Sequence, residues 1–264
     1  PLHQWVPDIY EGAPMTVTGF MSVGVKAAAF SILLRVLFGG FSDIEADWTR
    51  VLWVVAAFTM TIGNLAAIAQ RSVKRMLAYS SIAHAGYALV GVVAAYGEKE
   101  LGLSSVLYYL FSYTFMNLGA FGVLSYLSKN GKECETLDDI SGLWEKKPLT
   151  AVALGIFMFS LAGVPPTIGF FAKYRVFLSG VKAEFYWLFV IGVLNSVLSA
   201  YYYLRVLVYA YMREGKVEFP SPKPTSAIAL TILTIGTLIL GIFPLYSWEL
   251  ALKAAGSFLL ALAK

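Results

Sequence analysis

Three side chains in this sequence could do chemistry in surroundings that ordinarily exclude them. Lys26 is flanked by Val23, Gly24, Val25 and the run from Ala27 to Phe30. His84 lies between Ala78 and Tyr87, with Ser80 one turn before it and Tyr87 one turn after. Lys173 follows an apolar stretch that begins at Ser160 and is interrupted by Gly163, Pro165 and Pro166. A lysine at the centre of a bilayer costs at least ~2.5–3.5 kcal/mol and is functional by default. Snorkelling rescues lysines near helix ends, but Lys26 is about 11 residues, or ~16 Å, from either end of its segment. Desolvation disfavours the charged form of a buried amine, and an amine poised near neutrality can take up and release protons. Histidine titrates close to neutral pH without help. The chemistry these residues suggest is proton movement.

Blander roles compete for each residue. A buried carboxylate would neutralise either lysine for packing alone, and a neighbouring helix would satisfy His84. Ser80, His84 and Tyr87 form a polar stripe on one helix face, and Gly86 allows another helix close. A water-filled crossing point is the preferred reading of that stripe. Asn64, Asn117 and Asn195 each interrupt an apolar helix and are read as interhelical hydrogen-bond glue, with Asn117 and Asn195 as polar support for the lysines. Arg35 and Arg205 are read as snorkelling or helix-terminal charges, and Arg175 is left open between a structural and a functional role.

The elements that must hold these groups are membrane helices. Of the 264 residues, 58% are hydrophobic and 14% charged, with a mean hydropathy of +0.70; soluble domains average roughly 25% charged. Segments of about 20 apolar residues are long enough to span. Seven qualify, at about 15–38, 48–70, 73–95, 102–128, 148–181, 184–212 and 224–244. The expected fold is therefore an all-α polytopic membrane protein whose fifth helix is broken near Gly163–Pro166. Proline removes a backbone donor and clashes with the preceding turn, so the break requires partners in protein or water. Pro14 suits a first helical position, Gly39 and Gly40 stop the first helix, and Trp48 and Trp187 are interface anchors. Residues 246–264 read as an interfacial helix.

The loops after the second, fourth and sixth helices carry ten Lys and Arg residues: Arg71, Lys74, Arg75, Lys129, Lys132, Lys146, Lys147, Arg213, Lys216 and Lys223. Those after the first, third and fifth carry three, Arg50, Lys99 and Lys182, and the tail adds Lys253 and Lys264. The positive-inside rule places the ten in the cytoplasm, with Pro1 on that side and Lys264 outside. Cys134 is the only cysteine, which excludes an intrachain disulfide. No Walker or Rossmann fingerprint occurs, no Ser/His/Asp arrangement suggests hydrolysis, and two histidines and one cysteine make no obvious metal or haem site. The net charge of +4 is no nucleic-acid signature. No signal peptide is recognised, and Pro1–Trp5 reads like the end of something longer. The tetrapeptide LRVL at 34–37 and 204–207 lies on helices running in opposite directions, a faint inverted repeat of a kind common in transporters.

Four stretches carry a resemblance: 6–14 (VPDIYEGAP), 18–26 (TGFMSVGVK), 75–87 (RMLAYSSIAHAGY) and 161–173 (LAGVPPTIGFFAK). They are similar to the antiporter-like membrane subunits of bacterial respiratory complex I, the NADH:quinone oxidoreductase, and within these to the subunit N family. DIYEGAP at 8–14 and AHAGY at 83–87 favour N over the L and M paralogues, and Lys173 separates it from M. The resemblance runs the whole length and implies a fourteen-helix fold with two inverted five-helix repeats, each with a broken helix. Residues 1–47 then end the first repeat, 48–212 form the complete second repeat, and 213–264 hold the last helix and the interfacial tail. Superposing the copies sets Lys26 against Ser196, beside Asn195. The resemblance further implies a proton relay with Lys26 central, His84 connecting and Lys173 terminal, driven by quinone reduction elsewhere. It implies no cofactor in this chain, with NADH, FMN, iron–sulfur clusters and quinone in other subunits. The implied partners are subunit M, small subunit K and lipid, with no nucleic acid, in the bacterial inner membrane. A multisubunit cation/proton antiporter and a structural subunit that does not conduct are the alternatives. The family's acidic residue and partner lysine fall before Pro1, so the relay within these residues is partial.

Overall fold

The protein is described by a computed structural model covering residues 3–128, 133–215, 219 and 224–262. Pro1, Lys129, Lys132, Lys216, Lys223 and Lys264, used above for topology, lie outside the described residues. A short helix α1 (Val6–Gly12) leads into α2 (Met15–Gly40), followed by α3 (Glu45–Ala69), α4 (Val73–Ala94) and α5 (Lys99–Leu127). The short α6 (Leu143–Lys146) precedes α7 (Pro148–Ala162), α8 (Ile168–Lys182), α9 (Tyr186–Met212), α10 (Pro224–Ile242) and α11 (Pro244–Leu262). Among the described residues no strand forms beyond an isolated pairing of Ser72 with Thr136.

Six helices are long and apolar enough to cross a membrane: α2, the stretch Ser42–Ile68 that contains most of α3, α4, α5, α9 and α10. The expected fifth span is two helices, α7 and α8, meeting at the break. Burial ranks the helices by position. In α4, 89% of the apolar window is buried, against 28% in α2 and 17% in α10. Its sequence explains the central place, because Ala, Ser and Gly let neighbouring backbones approach. A Cβ on Gly86 would sit 2.8 Å from the Met60 backbone nitrogen, and one on Gly63 would sit 2.7 Å from that of Ala83. The contact of α3 with α4 therefore depends on both glycines, and Gly86 provides the close approach expected of it.

The break between α7 and α8 is held by side chains and by a neighbouring helix. Gly163 ends α7 at φ 89°, a conformation that glycine adopts without strain. The amides of Gly163 and Val164 donate to the Phe159 carbonyl at 3.0 and 2.9 Å. On the far side the Gly169 amide donates to Ser160 Oγ at 3.1 Å, so a residue of one half-helix satisfies the start of the other. A Cβ on Gly241 of α10 would lie 2.3 Å from the Pro166 carbonyl oxygen. Irregular backbone is tolerated at membrane depth where protein covers it, and here α10 presses directly against it.

Several expectations about helix ends change. Pro14 precedes α2 as its flanking residue, not its first position. Gly39 and Gly40 belong to a terminal π-turn, Val36–Gly40, instead of lying beyond the helix. Trp187 is 76% exposed, which suits an interface anchor, but Trp48 is buried. Its indole donates to the Phe41 carbonyl at 3.0 Å and packs edge-on against Phe38, fastening the turn between α2 and α3. The tail is a 19-residue helix whose Trp248, Ala251 and Ala255 are buried. Trp248 packs edge-on against Tyr108 of α5, with the Arg175 guanidinium 4.2 Å from its ring centre, which gives Arg175 a packing role. Arg205 neither snorkels nor caps its own helix: it donates to the Ile68 and Gln70 carbonyls at the end of α3. Arg35 is exposed.

Lys74, taken above for a loop cation, is buried and paired with Glu133 at 2.5 Å and Glu135 at 3.1 Å. Burial alone would raise the Glu133 carboxyl, but hydrogen bonds from Lys74 and the Met15 amide outweigh it and hold the group below its usual range. Arg75 pairs with Asp8 and Glu11. These contacts close the segment around residues 133–139 over the start of α4 and bury Cys134. Burial, reinforced by the charges of Asp139 and Glu135, pushes its thiol up to about 12. The thiolate is the reactive form, so Cys134 should resist a maleimide in the native protein at neutral pH and react once the protein is unfolded in denaturing detergent. Fast labelling of the native protein, followed by mass spectrometry, would show that this segment does not dock.

Candidate functional site

The site is a row of polar side chains along α4, met from one side by α2 and α5 and from the other by α3, α8 and α9. A π-turn at Met21–Val25 immediately precedes Lys26. Such turns shift the following side chains around the helix and are frequent at functional positions. The half-buried Lys26 donates to the Ser81 carbonyl at 2.7 Å and to Ser81 Oγ at 2.8 Å, and its ammonium lies 4.2 Å from the centre of the Tyr113 ring. One turn earlier on α2, Ser22 Oγ accepts from Asn117 Nδ2 at 2.6 Å. The Tyr113 hydroxyl and Asn117 Oδ1 are buried without a partner among the described residues, so both are open to a bound water.

His84 is buried and faces a hydroxyl at each ring nitrogen. Tyr109 OH is 2.7 Å from Nδ1, and Tyr203 OH is 3.1 Å from Nε2. The ring also packs 4.9 Å, centre to centre, from Tyr113, the tyrosine that lies against Lys26. Ser80 does not reach His84 directly; its hydroxyl bonds that of Tyr203, which joins the two. Tyr87, edge-on to His84 at 5.6 Å, accepts from Asn64 Nδ2 at 3.1 Å. A neutral imidazole donates at one nitrogen and accepts at the other. Flanked by two hydroxyls, it can receive a proton on one side and release one on the other.

Lys173 is 4% exposed. It donates to the Ala162 carbonyl at 2.8 Å and to Ser196 Oγ at 3.0 Å, with the Tyr87 ring centre 5.1 Å away. Ala162 is the last residue of α7, so the helix break supplies a free carbonyl at a negative helix end to an ammonium. Gly163 makes room for this approach, since a Cβ there would lie 2.9 Å from Lys173 Cδ. A cleft of about 400 Å³ opens at this lysine between α8 and α9, lined by Phe170, Tyr174, Phe177, Val193 and Ser196 among others. Among the described residues neither Lys26 nor Lys173 forms an ion pair.

The structure brings these residues together around α4: Tyr203 joins His84 to Ser80, Asn64 joins Tyr87 to Asn195, the Tyr87 ring faces Lys173, and the Tyr113 ring lies against both Lys26 and His84, with Asn117 bonded to Ser22 one turn from Lys26. Asn195 accepts from Asn64 and donates to Thr61 Oγ1 at 3.1 Å. Sequence reasoning missed Ser81, Tyr109, Tyr113, Tyr202 and Tyr203. The available signal was the density of tyrosines inside helices otherwise suited to lipid. Ser196, expected to superpose on Lys26, is a hydrogen-bond partner of Lys173. No cluster of His, Cys, Asp and Glu suited to a metal occurs among the described residues.

A helical membrane fold with a broken helix whose lysine binds the break defines the class. The chain belongs to the family described as NADH:quinone oxidoreductase/Mrp antiporter, transmembrane, which matches residues 1–199. More particularly, it is similar to NADH-quinone oxidoreductase subunit N of Trichlorobacter lovleyi, with 50% identity over 96% of this chain and 52% of the relative. A chain of respiratory complex I from Thermus thermophilus with bound aureothin is 34% identical at a TM-score of 0.81, covering 94% of this chain and 54% of that one. A chain of the Mrp complex from Dietzia sp. DQ12-45-1b shares the fold at a TM-score of 0.84 and 24% identity, covering 97% and 55%. The chain spans about half the length of the curated relatives it matches.

Replacing Tyr203 by Phe would leave the Ser80 hydroxyl and one His84 nitrogen buried without a partner, at about 1–3 kcal/mol for each group. The thermal midpoint of the purified protein should fall for Tyr203→Phe and stay unchanged for Tyr201→Phe, whose ring is 58% exposed. Equal midpoints for the two variants would contradict the bonding described.

Proposed function

We propose that this chain is part of a proton-translocating membrane subunit of an NADH:quinone oxidoreductase, with Lys26, His84 and Lys173 as its proton-relay residues. The observation that carries the reading is the placing of polar groups around the three: the Tyr113 ring lies against both Lys26 and His84, and tyrosine and asparagine side chains run from His84 towards Lys173. Each lysine is solvated by neutral dipoles, which hold it in place without fixing its charge. A carboxylate partner would lock the ammonium form. Lys26 exchanges protons beside Ser81, His84 passes them between its two tyrosines, and Lys173 receives them at the break. A proton on one lysine disfavours a proton on the next through a poorly screening interior, so charges move along the row singly.

The chain itself carries no redox group in this reading. Quinone reduction in other subunits, with NADH, FMN and iron–sulfur clusters, supplies the driving force. Residues 48–212 act as one repeat, with residues 1–47 completing another and residues 213–264 bracing it. The neighbours are subunits M and K in a bacterial inner membrane, with the end near residue 3 cytoplasmic and the end near residue 262 outside. The Mrp-type fold supports a second reading, a subunit of a multisubunit cation/proton antiporter. The two differ in what co-purifies: flavin and iron–sulfur subunits in the first, small membrane subunits alone in the second.

Within the assembled complex in liposomes, Lys26→Ala and Lys173→Ala should each abolish most quinone-linked proton pumping. Measured proton-to-electron ratios equal to wild type in both variants would favour a structural subunit that does not conduct.

A further inference from the structure

From His84 towards Tyr87 the hydrogen-bonding side chains are hydroxyls until one point. Tyr203 bonds His84 and lies ring to ring with Tyr202 at 4.5 Å. Tyr202 OH donates to Asn64 Oδ1 at 2.8 Å. On the other side Asn64 Nδ2 donates to Tyr87 OH at 3.1 Å. The ring of Tyr87 in turn faces the Lys173 ammonium, 5.1 Å from its centre. The Tyr202 side and the Tyr87 side meet at a single carboxamide.

We propose that Asn64 is the closed point of the relay, an amide that joins the His84 side to the Lys173 side without passing protons between them. The inference rests on the relay reading given above. A hydroxyl accepts a proton and releases another at the same oxygen. A carboxamide accepts at Oδ1 and donates from Nδ2, two different atoms. Passing a proton through Asn64 adds one to Oδ1 and removes one from Nδ2, which leaves the high-energy imidic acid tautomer. The amide therefore bonds both sides and conducts between neither.

The packing holds this amide still. Asn64 is fully buried, and the neighbouring Gly63 presses on the α4 backbone, so α3 cannot approach further. Asn64 Nδ2 also donates to Asn195 Oδ1 at 3.1 Å, and Asn195 Nδ2 is tied to Thr61 Oγ1 and to the Ile191 carbonyl. Arg205 makes a second tie between α9 and α3 at Ile68 and Gln70. Opening the closed point requires α9 to move relative to α3 far enough for water to replace the amide between Tyr202 and Tyr87. Asn64 is thus a positioning residue that prevents passive leak between pumping events.

The test uses the whole complex in liposomes, without NADH, and follows proton leak after an acid pulse. Asn64→Asp replaces the amide by a carboxyl that can take up and release a proton, and its leak should rise several-fold. Asn64→Gln keeps the amide chemistry and should stay near wild type. In the double variant Asn64→Asp/Lys173→Ala the added leak should vanish, because the path beyond the amide is cut. The proposal is overturned if Asn64→Asp does not leak, if Asn64→Gln leaks equally, or if the double variant leaks as much as Asn64→Asp. Loss of pumping in Lys26→Ala and Lys173→Ala with no leak in Asn64→Asp would discard the closed point alone. Intact pumping in both alanine variants would discard the relay itself.

Discussion

An ammonium group cannot remain in a hydrocarbon layer unless something replaces its water, and the arrangement of this protein follows from how that is done. Lys26 and Lys173 are each solvated by one backbone carbonyl and one serine hydroxyl, Ser81 for the first and Ala162 with Ser196 for the second. Each also faces the ring of a tyrosine. None of these partners carries a full charge. Neutral solvation costs more than an ion pair when the lysine is charged, but it keeps both protonation states accessible. By contrast, the buried Lys74 at the start of α4 is neutralised by Glu133 and Glu135 and fastens a loop. The same side chain thus has two roles, set by its partners.

The broken helix follows from the same need. An intact helix spends its carbonyls on its own amides, whereas a helix end leaves them free. Ending α7 at Gly163 frees the Ala162 carbonyl for Lys173, and the glycine's missing side chain lets the lysine stem approach. The remaining groups at the break are satisfied by Ser160 and covered by α10 at Gly241. The central position of α4 has a comparable origin. Its small residues admit α3 closely enough for Asn64 to reach Tyr87, while α9 brings Asn195 and Tyr202 to Asn64 and Tyr203 to His84.

Much of this was legible in the sequence because a charge inside an apolar run stands out whatever its neighbours are. Lys26, His84, Lys173 and the break all announced themselves in that way, and Gly86 was recognisable as a contact point. Partner choice was not legible. Ser80 and Ser81 are adjacent, yet successive residues point about 100° apart around a helix, so one meets Tyr203 and the other Lys26. Nothing in the local pattern decides which. The i, i+4 relation of Ser80 to His84 suggested a direct stripe, but the two are joined through Tyr203 on a helix more than a hundred residues away. Trp48 looked like an interface residue because it opens an apolar run, but the turn at Phe41 folds back onto it. Tyrosines proved the least visible group. Their rings satisfy an apolar pattern, and the function of their hydroxyls emerges only when helices come together.

The central claim is that these two amines exchange protons and do not merely carry charge. Arginine keeps the positive charge but does not deprotonate in proteins. The most direct measurement is therefore the proton-to-electron ratio of the intact complex carrying Lys26→Arg or Lys173→Arg, with assembly confirmed by subunit content. The account predicts a reduced ratio in each variant despite the retained charge. A ratio equal to wild type in both would contradict it.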